Sequence, residues 1–152
     1  DNPLANGRGA RERGLVRDFQ FGDDPRAWAA WFEVESQWWS NDSRRVFTDL
    51  VHGSKADKVA ALRQVSILHA WRDRAAEEIA IALDDTAVEI AELTVAQLER
   101  LNSSRSIPAL IDALFGGRPT VAALAHTALE SIAKRKLPED PMACREALLP
   151  GR

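Results

Sequence analysis

Signals that open helices punctuate this chain from end to end, and they limit what it can fold into. Asp24-Pro25 and Asp140-Pro141 each place a carboxylate acceptor for first-turn amides before a proline that needs no amide donor. Ser54 with Asp57, Thr86 with Glu89 and Thr94 with Gln97 each have the reciprocal capping spacing, in which two side chains satisfy amides at a helix start. Pro108 opens a further short helix and Gly116-Gly117 closes it. No segment shows the alternating, β-branched pattern of a half-buried strand. The class is therefore all-α, and the spacing predicts a compact single-domain bundle of about six to seven helices.

Residues 1–22 carry Arg8, Arg11, Arg13 and Arg17 among glycine and proline, with few apolar residues before Leu15, and read as a flexible arm. Residues 23–152 read as one helical domain. The first helix runs from Asp24-Pro25 to about Ser40, and the second lies between Asn41–Ser43 and Gly53. A third is expected from Ser54 to about Leu83. Its Val59, Leu62, Val65, Ile67, Leu68 and Trp71 point in nearly every direction, as in a helix surrounded by others. Residues 86–101 are helical, with Thr94 marking a place where that stretch either breaks or continues. Later helices are expected from Pro108, from Thr120 to Lys136, and after Asp140.

With 45% hydrophobic and 28% charged residues in 152, the chain can bury a core without a staple. Its single cysteine, Cys144, permits no internal disulfide, which fits a reducing, cytoplasmic setting. No run is long and apolar enough for a membrane span, and the start does not read as a signal peptide. A net charge of -3 does not advertise nucleic-acid binding, so another protein or a second copy is the expected partner. His52, His69 and His126 are scattered, and only His126 with Glu130 shares a helical face. There is no phosphate loop, dinucleotide fingerprint or paired di-iron motif, so neither a metal nor a cofactor is expected.

Two surfaces stand out. Trp28, Trp31, Phe32, Trp38 and Trp39 fall on one arc of the first helix, either as core or as the floor of a binding groove. Glu35 sits in the middle of that arc, so Trp31, Glu35 and Trp38 are candidate contact residues. The second surface is the acidic series Glu78, Asp85, Glu89, Glu92 and Glu99, which would face a basic partner if borne on a continuous helix.

Three chemical constellations compete with an interaction role. His69 and Asp73 have the spacing at which a carboxylate fixes one ring nitrogen and leaves the other as a base. Arg63-Gln64-Val65-Ser66-Ile67-Leu68-His69 resembles the motif of the HEPN ribonuclease superfamily, although Gln64 departs from the usual Asn, Asp or His. That resemblance implies an RNA-cleaving helical dimer acting through Arg63 and His69. Asp84-Asp85-Thr86-Ala87-Val88-Glu89 resembles a magnesium-diphosphate motif of helical isoprenoid enzymes, but the chain is too short for their second acidic helix and large cavity. A DNA-binding regulator acting through the arginine-bearing arm is a further alternative. The helix after Pro108 offers Asp112 and no basic or amide side chain for base edges. The reading that follows is a small helical interaction or regulatory module without its own catalysis.

Overall fold

Asp24 opens α1 (Pro25–Asn41) as its neighbours dictate. Its Oδ1 accepts from the Arg26 N–H at 2.9 Å and the Ala27 N–H at 3.4 Å. α2 (Ser43–His52) stops at Gly53, where an added Cβ would stand 2.5 Å from the Asp49 carbonyl oxygen. The Ser54–Asp57 box then forms as expected: the Asp57 carboxylate accepts from the Ser54 N–H at 2.9 Å, and the Asp57 N–H donates to the Ser54 hydroxyl at 3.2 Å.

The computed structural model describes residues 21–65 and 68–151. Among them are eight α-helices and no strand. The count exceeds the expected six to seven because the long helix anticipated from Ser54 to Leu83 is not continuous. It is α3 (Lys55–Val65), α4 (Arg72–Ile79) and a 3-10 turn at Ala80–Asp84. The His69 and Ala70 amides donate to a side-chain carboxylate instead of to helical carbonyls, so the ladder is interrupted there.

α5 (Val88–Leu101) is unbroken. Thr94, a possible second start, lies buried inside it and donates its hydroxyl to the Ile90 carbonyl at 2.7 Å. Thr86 does not cap this helix either. Ala87 occupies the N-cap position, and its N–H is held by Asp85 Oδ1 at 2.9 Å. Asn102, at φ 52°, ends α5 in the left-handed conformation that asparagine tolerates. A 3-10 turn at Ser104–Ser106 leads into α6 (Ile107–Leu114), followed by α7 (Pro119–Ala133) and α8 (Pro141–Leu148). Asp140 caps α8 by accepting from the Ala143 N–H at 2.8 Å.

The chain forms two compact units. One takes the residues up to Arg45 together with His69–Trp71, and the other takes Val46–Leu68 and everything from Arg72. In the second unit α5 packs against α3, α4, α7 and the 80–84 turn, so the central place expected of residues 54–83 passes to α5. Its Ile90, Ala91, Thr94, Val95 and Leu98 are essentially sealed from solvent. Burying each large aliphatic side chain contributes about 1.5–3 kcal/mol, which makes this interior the unit's main stabilising element. α6 packs on α7 and α8.

In the first unit, Phe21 and Trp31 are buried, with Ala27, Trp28 and Ala70 packed on them. Phe21 meets Trp28 edge-on at 4.8 Å between ring centroids, and Trp28 meets Trp31 in the same manner at 5.8 Å. The Trp28 indole N–H donates to the Gly22 carbonyl at 2.9 Å. Phe21 and Gly22, assigned to the arm on sequence, therefore belong to the packed unit. The rest of the expected arm, residues 1–20, lies outside the described residues.

Candidate functional site

The aromatic arc of α1 is split by burial. Trp31 is core, Trp28, Trp38 and Trp39 are half-buried, and Phe32 is 47% exposed. Phe32 and Trp39 lie two turns apart on α1, and Trp71 stacks against both. Each stack has a centroid separation of 6.0 Å, with planes inclined at 30° to Phe32 and 25° to Trp39. The result is a three-ring ladder with an open end at Phe32. The Trp71 indole N–H and the Ser36 hydroxyl are enclosed without a hydrogen-bond partner among the described residues. Each such group costs about 1–3 kcal/mol, so the ladder is not optimised for stability alone.

Glu35 explains how Trp71 gets there. The carboxylate is 6% exposed. It accepts from the His69 N–H through both oxygens at 3.0 Å and from the Ala70 N–H through Oε2 at 2.8 Å. These bonds pin the turn that carries Trp71. Desolvation pushes the Glu35 carboxyl above its ordinary range, against the opposing pull of the Ala70 amide, the His69 amide and the Trp31 indole. Glu35 thus acts as an acceptor for main-chain donors.

The catalytic candidates are not assembled by the helix that the sequence suggested. Arg63 lies on α3 in the second unit, whereas His69 belongs to the first unit, beyond the end of α3. The single helix needed for a His69–Asp73 pair is absent, since α4 begins only at Arg72. Asp73 instead accepts from the Ser103 hydroxyl at 2.6 Å, with Arg72 Nε 3.9 Å away. Ser66, within the resembling motif, is outside the described residues.

The acidic series is likewise divided. Glu78 is on α4, Asp85 is in the connection that follows, and Glu89, Glu92 and Glu99 are on α5. Two of the acids already have cations. Asp85 lies 2.5 Å from the Lys58 ammonium, and Glu89 lies 3.3 Å from that of Lys55. Burial pushes the Asp85 carboxyl up, but Lys58, the Ala87 amide and Arg118 together hold it below the usual carboxylate range. Arg118 also donates to the Asp85 carbonyl at 2.7 Å and to the Leu83 carbonyl, tying the end of the 3-10 turn. This cluster is a fold-holding knot. Among the described residues, no group of three or more His, Cys, Asp or Glu side chains is placed to hold a metal ion.

Sequence reasoning placed Trp71 on the central helix and missed its part in the ladder. No local signal marks the turn that carries it, which has neither glycine nor proline. The acceptor, Glu35, is 34 positions before His69. Compared with protein-family models, curated proteins and solved structures, the chain matches none of them. No described helix is long and apolar enough to cross a membrane.

Proposed function

We propose that this chain is a helical protein-interaction module without its own catalysis, and that it docks a partner protein on the aromatic ladder of α1. The half-exposed Phe32 at the open end of the Phe32–Trp71–Trp39 stack carries the reading. Large aromatics with one exposed face suit an anchor that accepts an aliphatic or aromatic side chain from an amphipathic partner helix. The acidic series is the weaker surface, because Lys58 and Lys55 already answer two of its carboxylates. The same proposal takes residues 23–152 as a helical bundle working in the cytoplasm, a setting suited to its free, buried Cys144.

The test uses the tryptophans themselves. Emission and acrylamide quenching are followed across a concentration series and with fractionated cell proteins, with light scattering reporting mass. A docking partner shields the tryptophans of the wild type and not those of Phe32→Glu, whose helical circular dichroism should be unchanged. Shielding that tracks the mass of a dimer identifies a second copy as the occupant and overturns the partner-protein reading. Quenching that never changes removes the ladder as a docking surface.

A further inference from the structure

Where α8 packs on α6, two large apolar side chains are left in solvent beside a cation. α6 buries Leu110, Ile111 and Leu114, which carries Asp112 and Phe115 to its open side. α8 buries Cys144 and presents Met142, Arg145 and Glu146 on its outer arc. Phe115 is 46% exposed and Met142 is 55% exposed. The Arg145 guanidinium lies 5.6 Å from the centroid of the Phe115 ring, which joins the outer faces of the two helices into one patch. After Phe115 the chain turns through Gly116 and Gly117, both exposed, so the turn adds no side chain to shield the ring.

The patch carries charges that the chain itself leaves unanswered. A ring face attracts a guanidinium but does not accept its five N–H donors as a carboxylate does. Arg145 is half-buried, and among the described residues no carboxylate lies within ion-pair distance of it. Asp112 and Glu146 likewise have no cation there. Elsewhere in the second unit Lys55, Lys58 and Arg105 each meet an acid. A surface with an unpaired cation, an unpaired anion and an apolar ring next to both is complementary to itself. An isologous two-fold contact sets each such residue against a different one of the second copy.

We propose that the Phe115–Met142 patch is a self-association surface, and that its occupant is the same patch of a second copy of this chain. A two-fold axis running past Phe115 packs the Phe115 rings and Met142 thioethers of the two copies together. It also sets Arg145 of each copy against Asp112 of the other. Excluding water there strengthens these charge pairs relative to exposed ones. Two eight-residue helices offer less than the ~800 Å² per partner of stable interfaces, so the dimer is weak, with a dissociation constant between about 10 µM and 1 mM. The contact uses no residue of the α1 ladder, so self-association and partner docking stand or fall separately.

Met142 is the chain's single methionine, so isotope labelling of the methionine methyl group gives one resonance from within the patch. Light scattering, this resonance and tryptophan quenching are followed on the full chain from about 10 µM to 1 mM. The mass should climb toward that of two chains and the Met142 resonance should shift in step, with quenching constant. Phe115→Ser should weaken the dimer about tenfold or more. Asp112→Lys and Arg145→Glu should each weaken it by a similar factor, and the double variant, which exchanges the two charges, should recover wild-type association. Helical dichroism checks that each variant is folded. A mass that stays that of one chain overturns the proposal, as does a mass that climbs while the Met142 resonance stays fixed. Association that survives Phe115→Ser, or a double variant no better than the single ones, overturns it too. Tryptophan shielding that tracks the mass moves the contact to the ladder and is equally fatal. If a charge variant fails to fold, the wild-type mass and methyl resonance decide alone: a joint rise supports the patch, and any other result rejects it.

Discussion

The Ala70 amide and the Glu35 carboxylate, 35 positions apart in the chain, are joined by a 2.8 Å hydrogen bond. With its neighbour at His69 it determines where the expected third helix breaks and where Trp71 is placed. All five tryptophans, including Trp71, belong to the first unit, and the chain has no tyrosine. Ultraviolet emission therefore reports the first unit, while circular dichroism is weighted toward the second.

Removing the acceptor should loosen the tryptophans. Glu35→Ala leaves the His69 and Ala70 amides without their carboxylate, at a cost of about 1–3 kcal/mol for each enclosed donor. The expected outcome is red-shifted, more quenchable emission at low denaturant, with most of the helical signal retained. Emission indistinguishable from wild type would show that the amides find another acceptor.

Acid should act in opposite directions on the buried Glu35 and the part-buried Asp85. The Glu35 carboxyl is raised in the fold, so the stability it contributes is present below its ordinary value of 4.5 and is lost as pH rises through the folded value. Asp85 is depressed, so its contribution is present above 3.8 and is lost as pH falls through the folded value. Urea titrations should accordingly show the Glu35-dependent part of the emission midpoint rising on mild acidification. The Asp85-dependent part of the dichroism midpoint should fall only at stronger acid. Each part is isolated by comparison with Glu35→Gln and Asp85→Asn.

Trp71 separates stacking from its enclosed N–H. Trp71→Ala removes both ring stacks and leaves a hole, an expected loss of about 3–5 kcal/mol. Trp71→Phe keeps a ring between Phe32 and Trp39 while deleting the partnerless donor, and should cost markedly less. Denaturant unfolding followed by the remaining tryptophans measures the difference. Equal losses would mean that the stacks contribute little.

In the second unit, Leu98→Ala should cost about 2–5 kcal/mol, because a sealed side chain on the central helix leaves a cavity. Lys58→Ala should cost about 1–3 kcal/mol, between the values for exposed and fully buried pairs, since Asp85 keeps Arg118 nearby. Ile81→Ala, at an exposed position, should change stability by no more than about 0.5 kcal/mol. Thermal unfolding followed by dichroism should rank the three in that order.

The helical class and most helix starts were legible because their causes are local. Asp24, Ser54 and Asp140 cap their helices through amides two or three residues away. The break after Val65 was hidden because its cause is remote: Glu35 supplies the acceptor, and neither glycine nor proline marks the spot. Thr94 misled because its hydroxyl satisfies the Ile90 carbonyl inside a helix as readily as it would cap one. The aromatic arc and the buried Glu35 were legible as a surface to be covered. Their third ring was not, since no periodicity on α1 points to Trp71. The acidic series lost its unity because its residues lie on both sides of the Ala80–Asp84 turn.

The interleaved make-up of the first unit also has a consequence in time. A ribosome delivers α1 well before Ala70, so the Glu35 clamp cannot close until the residues of α3, which belong to the other unit, have been made. During that interval Phe32 and Trp39 emerge without their stacking ring, and the nascent chain presents its most adhesive face first. A chaperone that recognises aromatic segments would meet this protein at α1.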